Sequence, residues 1–402
     1  MSMQSLPKIA LWFRYGPAEH AELFNAMPEI VLRLSAHAQV HYFGLRSSKP
    51  VPDKIKNNAI IHSLPFSIER ASSRDKFIKT ALWLFCLPGI ALRCRWLGVK
   101  TVYMDETVPF SAWIGRVFYG PRLAFSVVDF FANIYLSNNR LFRFVGRLMN
   151  AVDMASWRRL PLIFTRVNYT KKYLVENGFQ AARIVPVYDP CDFALYHPAG
   201  RQPARSRYRY QDDHIVLVSH GIMHPNKGND RIIRWVSDLR EQCPLLRLLL
   251  IGDGPDMTRL RQIVGNLHAE DIVQFTSWLR SPALLNEALN AADIGLVMRM
   301  GQESDNFHVT GALVHNMACG LPVLAARLQG VAEIVRENET GLLFDPNSRE
   351  EFSSKLMTLV QSRDLRSRYG AAGYKLAREL FDVQAVAEKT VTPLLALMKA
   401  AG

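Results

Sequence analysis

The sequence predicts an α/β protein made of two doubly wound parallel sheets, and three observations carry that prediction. Short apolar runs with β-branched residues alternate with stretches of helical period. The alternation stops at a polar, turn-rich segment and then restarts. The chain has 402 residues, too many for one ordinary domain, and is 49% hydrophobic, enough to build two cores.

In the first half, Lys8–Phe13 reads as the opening strand. A loop with Tyr15, Gly16 and Pro17 follows, then a helix to about residue 36. Ala38–Leu45, Lys100–Met104 and Leu123–Val128 read as further strands. Strands separated by helices imply a parallel sheet covered on both faces. Residues 198–213, basic and rich in turn formers, read as a linker. Beyond it Ile215–Ser219, Leu246–Ile251, Ile272–Phe275, Ile294–Met298 and Pro322–Ala325 read as the strands of a second sheet. Two such units in tandem are expected to face each other across a ligand-binding cleft.

The net charge of +13 is unevenly spread. Residues 1–200 hold 25 Lys and Arg against 13 Asp and Glu, whereas 201–402 hold 24 against 23. A basic half beside a neutral one suits contact with a polyanion or an anionic membrane; the other reading is a soluble surface with an Arg bias. No run of eighteen apolar residues occurs, so no spanning helix is expected. The N-terminus lacks the features of a signal peptide. Thr80–Leu92, bracketed by Lys76, Lys79, Arg93 and Arg95, suits a segment lying in a membrane interface. Residues 130–149 mix aromatics with Arg140, Arg143 and Arg147 in the same way. Either stretch also reads as a core helix with a snorkelling basic edge. Five scattered cysteines without a C-x-x-C pair indicate neither a disulfide framework nor a zinc site, which fits the cytosol. No helix-turn-helix or zinc pattern supports nucleic acid as the partner of the basic half.

Five stretches of the second half carry chemistry. In HGIMHPNKGNDRII (220–233), Lys227-Gly228 at a helix start places an ammonium beside free backbone N–H groups, which suits a phosphate, although N-K-G alone is also a common turn. In LLLIGDGPDMTRL (248–260), Gly252 and Gly254 allow a sharp turn after a strand, and Asp253 is placed to cap the next helix. IVQFTSWL (272–279) leads into Trp278, LNAADIGLVM (289–298) ends on a strand, and HVTGALVHNMACGLPVLA (308–325) is followed by GVAEIVRENETGLLFDP (330–346).

This ordered set resembles the C-terminal domain of GT-B glycosyltransferases, most closely glycosyltransferase family 4. The residues that carry the likeness are Lys227-Gly228, Gly252–Pro255, Phe275–Trp278, Ala291–Asp293, Met317–Val323, Gly330–Ile334 and Thr340–Phe344. Asp192 and Pro198 extend it upstream, and FDVQAVAEK (381–389) resembles the family's closing helix. The match is loose over residues 1–160.

The resemblance implies an N-terminal acceptor-binding domain (1–198), a linker (199–213), a nucleotide-sugar-binding domain (214–380) and a helix that crosses back to the first domain (381–402). It implies sugar transfer from a nucleotide-diphosphate sugar, UDP-linked in preference to GDP-linked, to a hydroxyl, without a metal or other cofactor; the chain has no D-x-D triplet. The donor site would comprise Gly16, Gly221, Lys227, Gly252, Trp278, Arg299, Glu303, His308, Val309, Thr310, Gly311 and His315. Lys227, with N–H groups at a helix start, would stabilise the leaving diphosphate. Gly16 would let the first domain's backbone approach the phosphates; it reads equally as a plain strand–helix turn.

The departures from the family are sharper than the matches. Family 4 members usually carry two glutamates eight positions apart, and here those positions hold Phe307 and His315. His315 can donate a hydrogen bond where a carboxylate only accepts, or be a structural histidine. Glu303 or Asp305 is the nearest acid, and Arg299, His220 or His224 is the nearest replacement for a missing basic residue. His308 and His315, seven apart, share a face if the helix starts early enough. Asp129, at a strand end near the place where the family often has a histidine, is a candidate base or a helix cap. With Lys227 and His315 it completes the expected catalytic set. The expectation is a peripheral enzyme on the inner face of the cell membrane, acting on a lipid-linked saccharide of a surface polysaccharide pathway (exopolysaccharide, capsule or lipopolysaccharide). The alternatives are the same fold acting on a soluble or protein hydroxyl, or a catalytically weakened binding protein.

Overall fold

The computed structural model describes residues 6–47, 49–66, 73–128, 140–279 and 281–400. It divides into two compact units, Met1–Pro190 with Val383–Gly402, and Cys191–Asp382.

The first unit runs β1 (Lys8–Trp12), α1 (Pro17–Leu23), α2 (Met27–Ser35), β2 (Gln39–Leu45), α3 (Asp53–Lys56), β3 (Ala59–Leu64), α4 (Ser73–Trp96), β4 (Thr101–Met104), α5 (Ser111–Tyr119), β5 (Leu123–Val127), α6 (Arg140–Trp157), β6 (Leu162–Thr165), α7 (Asn168–Glu176) and β7 (Ile184–Pro186). Its seven strands are parallel in the order β3-β2-β1-β4-β5-β6-β7. The single helix expected up to residue 36 is two, because Pro28 lies in the first turn of α2, where a missing N–H costs nothing but a continuing helix would lose a bond. Strands β3, β6 and β7 were not among the expected runs; β6 and β7 are four and three residues long, and β3 carries His62 and Ser63 inside its apolar run.

The second unit runs α8 (Gln202–Tyr208), β8 (Ile215–His220), α9 (Asn229–Ser237), β9 (Leu246–Ile251), α10 (Met257–Asn266), β10 (Val273–Thr276), α11 (Pro282–Asn290), β11 (Ile294–Val297), α12 (Gly311–Ala318), β12 (Val323–Ala326), α13 (Gln329–Ala332), β13 (Gly341–Phe344), α14 (Arg349–Gln361) and α15 (Arg363–Phe381). Its six parallel strands follow the order β10-β9-β8-β11-β12-β13. Within Thr340–Phe344, one of the stretches that carry the family likeness, Gly341–Phe344 supplies the edge strand β13. The last helix, α16 (Val383–Ala400), packs into the first unit, where Val386, Val391 and Leu394 join Met27, Ile30 and Leu34 in one core.

The segment expected as a linker is structural. Residues 202–208 form α8, and Arg205 within it is buried. Its guanidinium pairs with Asp293 at 2.6 Å and donates to the carbonyls of Ala291, Gln211, Asp212 and His214. Polar composition marked the stretch as loop, but the arginine spends that polarity on carbonyls at the strand ends.

Helix α4 also differs from expectation. The apolar segment read as thirteen residues is part of a 24-residue helix. Within it, Phe77–Trp96 is long and apolar enough to cross a membrane by length and composition. Counting consecutive apolar residues missed this because Lys79, Arg93 and Arg95 interrupt the run. Trp83, Leu87, Ala91 and Cys94 are buried in the unit, which ties one face of the helix to protein. The opposite face leaves Phe77, Phe85, Leu92 and Trp96 exposed, at 70%, 85%, 60% and 84%. The neighbouring helices add Trp113 and Val117 on α5, and Phe144 and Leu148 on α6.

Replacing Arg205 by Ala would leave Asp293 only Arg201, at 2.7 Å, and Val216 N as partners, and would take the donor from the carbonyls of Ala291, Gln211, Asp212 and His214. We expect a loss of about 3 kcal/mol, the usual size for breaking a buried ion pair, measured by urea unfolding of the full chain.

Candidate active site

The site of the second unit begins with two loops that touch. β8 and β9 are parallel neighbours, so the loops leaving them lie side by side. Gly221 N donates to Ile251 O, and Met223 N to Asp253 O, both at 2.9 Å; Asp256 N returns a bond to Met223 O at 3.0 Å. A Cβ on Gly252 would lie 2.0 Å from the Gly221 carbonyl oxygen, and one on Gly254 would lie 2.3 Å from that of Met223. Gly252 also has φ +137°, a conformation that L side chains rarely adopt. Both glycines are therefore required by backbone contact. Asp253 does not cap α10; its side chain accepts from Gly254 N, and Asp256 occupies the cap position.

These loops set the turn that carries Lys227. Pro225–Lys227 form a single 3-10 turn, Gly228 takes the left-handed conformation at φ +64°, and α9 starts at Asn229. Met300 N donates to Asn226 O at 3.2 Å, which ties this turn to the loop after β11. From that loop, Arg299 ion-pairs with the buried Asp305 at 2.7 Å. Asp305 also accepts from Gln302 N, and the pair forms a capping box on the turn Glu303–Phe307. Asp305 thus orients a guanidinium rather than reaching out as a free acid, and Glu303 is exposed on the same turn. Burial, reinforced by the nearby Arg299, pulls the Lys227 ammonium down to about 8.

Helix α12 supplies a second N-terminus. His308, Val309 and Thr310 are non-helical, and α12 begins at Gly311. His308 and His315 therefore do not share a helix face. Thr310 makes no capping bond, and its buried Oγ1 has no hydrogen-bond partner. One turn on, His315 lies between Tyr196, 3.9 Å away and stacked, and His220, 5.3 Å away and nearly parallel. Burial drives His315 down to about 4 and His220 well below its ordinary value, so both are neutral at pH 7. His315 Nδ1 and His220 Nε2 are buried without partners. A neutral imidazole offers one donor and one acceptor, so the pair is equipped for hydroxyl groups rather than for a second anion.

The second unit thus brings together Gly221, Gly252, Lys227, Arg299, Thr310, Gly311 and His315 around two helix N-termini on adjacent strands. A helix N-terminus with free N–H groups and a nearby cation binds phosphate. Trp278 follows β10 at the far edge of the sheet and is 58% exposed. Sequence reasoning missed Tyr196 as the stacking partner of His315, which has no local signal, and missed that Asp305, six positions after Arg299, pairs with it. Among the described residues no group of His, Cys, Asp and Glu has the arrangement of a metal site.

In the first unit, the charged residues gather at the C-terminal ends of the strands. Asp105, after β4, accepts from Arg166 at 2.9 Å and contacts His20 Nε2 at 3.0 Å, and its carboxyl is held well below the usual range despite burial. Next to it, burial pushes Glu106 up to about 7, against the opposing pull of Arg14. Gly16 is needed for packing, since a Cβ there would lie 2.1 Å from Ser47 Oγ. Asp129 lies outside the described residues.

Comparisons with known proteins agree with this geometry. Residues 201–376 match the family model described as glycosyl transferases group 1. A GDP-mannose-dependent alpha-(1-6)-phosphatidylinositol monomannoside mannosyltransferase of Mycobacterium tuberculosis is 29% identical over 180 residues, covering 44% of this chain and 46% of that protein. The chain spans about half the length of the curated relatives it matches. Among solved structures, sucrose-phosphate synthase from Thermosynechococcus elongatus superposes with TM-score 0.77 at 17% identity, over 98% of this chain and 100% of that one. Anabaena HepE in complex with UDP and glucose gives 0.70 at 18% identity, over 97% and 100%. The fold is therefore GT-B, with two Rossmann-like units.

The lowered Lys227 value sets a pH window. A phosphate ligand needs the ammonium, so UDP affinity should fall as pH rises from 7 to 9, through the value near 8. Lys227→Ala should weaken UDP at least tenfold at pH 7 and flatten that dependence, since a charge-assisted bond contributes about 1.5–3 kcal/mol. Calorimetric titration at the two pH values checks both.

Proposed function

We propose, on the premise that the second unit is a group 1 glycosyl transferase domain in a GT-B fold, that this chain moves a sugar from a nucleoside-diphosphate sugar to a hydroxyl. The observation that carries the reading is the convergence of Lys227, Arg299 and the N-termini of α9 and α12. The bond from the anomeric carbon to the diphosphate breaks with negative charge gathering on the leaving oxygen. A fixed ammonium, a guanidinium held by Asp305 and two helix dipoles meet that charge without reorganisation. His315 and His220, neutral and unpartnered, then serve the hydroxyls of the ribose or of the sugar. UDP is the preferred nucleotide, in line with the UDP complex of HepE; the mycobacterial relative is named for GDP-mannose, so GDP is the competitor to test.

The acceptor we infer is a lipid-linked saccharide of surface polysaccharide synthesis, met at the inner face of the cell membrane. Support comes from the first unit: α4, α5 and α6 expose aromatics, and Arg93 and Arg95 stand beside those of α4. Apolar area with cationic flanks is the chemistry of interfacial binding to anionic lipid. The relative that acts on a phosphatidylinositol mannoside is consistent with a lipid-borne acceptor.

Two measurements test this. Purified protein should release UDP from a UDP-sugar, with Lys227→Ala at less than a hundredth of that rate; absence of any nucleotide binding would sink the enzyme reading. The protein should float with vesicles containing phosphatidylglycerol, and Arg93→Ala with Arg95→Ala should reduce that binding several-fold at low salt. Failure to float at any salt concentration would end the membrane assignment.

A further inference from the structure

Between edge strand β3 and helix α4 runs a groove of about 530 Å³, within the size range of small-molecule sites. Its floor is Phe43 and His62, and its wall is Phe85, Cys86, Gly89 and Arg93. His62 is stacked on Phe43 at 4.3 Å, bonds to His41 at 3.0 Å, and is kept neutral by burial. Among the described residues no carboxylate lines the groove and Arg93 has no ion-pair partner.

The wall is open for a specific reason. Pro88 and Gly89 stand in the middle of α4, where both residue types weaken a helix. A Cβ on Gly89 would meet nothing within 4 Å. The glycine is thus not required by packing. Its effect is to leave bare the stretch of wall between Phe85 and Arg93, one turn on either side.

We propose that this groove holds one acyl chain of an anionic phospholipid, with the phosphate on Arg93. The chemistry matches along the groove: a mostly apolar trough ends at the guanidinium of Arg93, which has no ion-pair partner among the described residues. Phe85, which lines the groove, also belongs to the exposed apolar face of α4, so a chain can pass from the membrane into the groove without crossing water. The inference rests on the membrane reading above and deepens it from adsorption to a saturable lipid site.

The test uses the full chain with phosphatidylglycerol bearing a photoreactive acyl chain, in phosphatidylcholine vesicles. Wild type should cross-link to peptides from residues 61–64 and 85–93, saturably. Gly89→Trp fills the open space and should cut that labelling at least tenfold, with unchanged UDP affinity and melting temperature. Arg93→Ala should abolish the preference for phosphatidylglycerol over phosphatidylcholine. A second readout needs no variant: alkylation of the half-buried Cys86 should slow at least fivefold in phosphatidylglycerol vesicles, while that of Cys243 should not. Equal labelling of wild type and Gly89→Trp, with unprotected Cys86, would overturn the groove while leaving vesicle binding intact. A concentration-dependent dimer lost in Gly89→Trp, with labelling unchanged, would overturn it in favour of a second copy of the chain. No vesicle binding by wild type would instead remove the reading on which it rests.

Discussion

The contact between the Gly221 carbonyl and the Cα of Gly252 is the constraint on which the second unit's chemistry depends. Parallel pairing of β8 with β9 delivers two loops to the same edge, and only residues without a Cβ let them close to bonding distance. Once they close, the Met223 backbone is held from both sides, and the 3-10 turn with Lys227 has one place to go. The bond from Met300 N to Asn226 O then fastens the loop that carries Arg299. Lys227 is therefore positioned by backbone, whereas the Arg299 guanidinium is oriented by its ion pair with Asp305.

The stacked set Tyr196, His315 and His220 answers the same problem with different chemistry. In the position where the resembling family has a carboxylate, burial keeps the His315 imidazole neutral, so it adds no negative charge and still offers a directed N–H or lone pair. The cost is two buried nitrogens without a partner, His315 Nδ1 and His220 Nε2, at about 1–3 kcal/mol each by the usual measure of a buried unpaired group. Such a cost is tolerated where a ligand later repays it.

How much of this was legible in the sequence varied with the range of the interaction. Lys227-Gly228 and Gly311 were legible because their roles are local, a turn and a helix start; Gly252 was legible as a turn, but not its contact with the Gly221 carbonyl. The strands of the second sheet were legible from their apolar runs, apart from β13, whose Thr-Gly beginning resembles a turn. Residues 199–213 were not, because Arg205 looks like any loop arginine until Asp293, 88 positions away, is beside it. Nor was the full length of α4, since three basic residues interrupt a composition that the helix distributes over different faces. The seven-residue spacing of His308 and His315 suggested a shared face, but the helix starts only at Gly311 and leaves His308 extended.

By itself, then, the sequence determined the class of fold, the order of the second unit's motifs and the uneven charge, because each depends on residues near one another in the chain. Tertiary structure decided which groups stand together. It put Tyr196 against His315, and Arg166 and His20 against Asp105. It also decided which face of α4 is buried and which is left to the solvent. Ion pairing, stacking and desolvation act over a few ångströms in space, whatever the separation in sequence. Only folding brings those partners within that range.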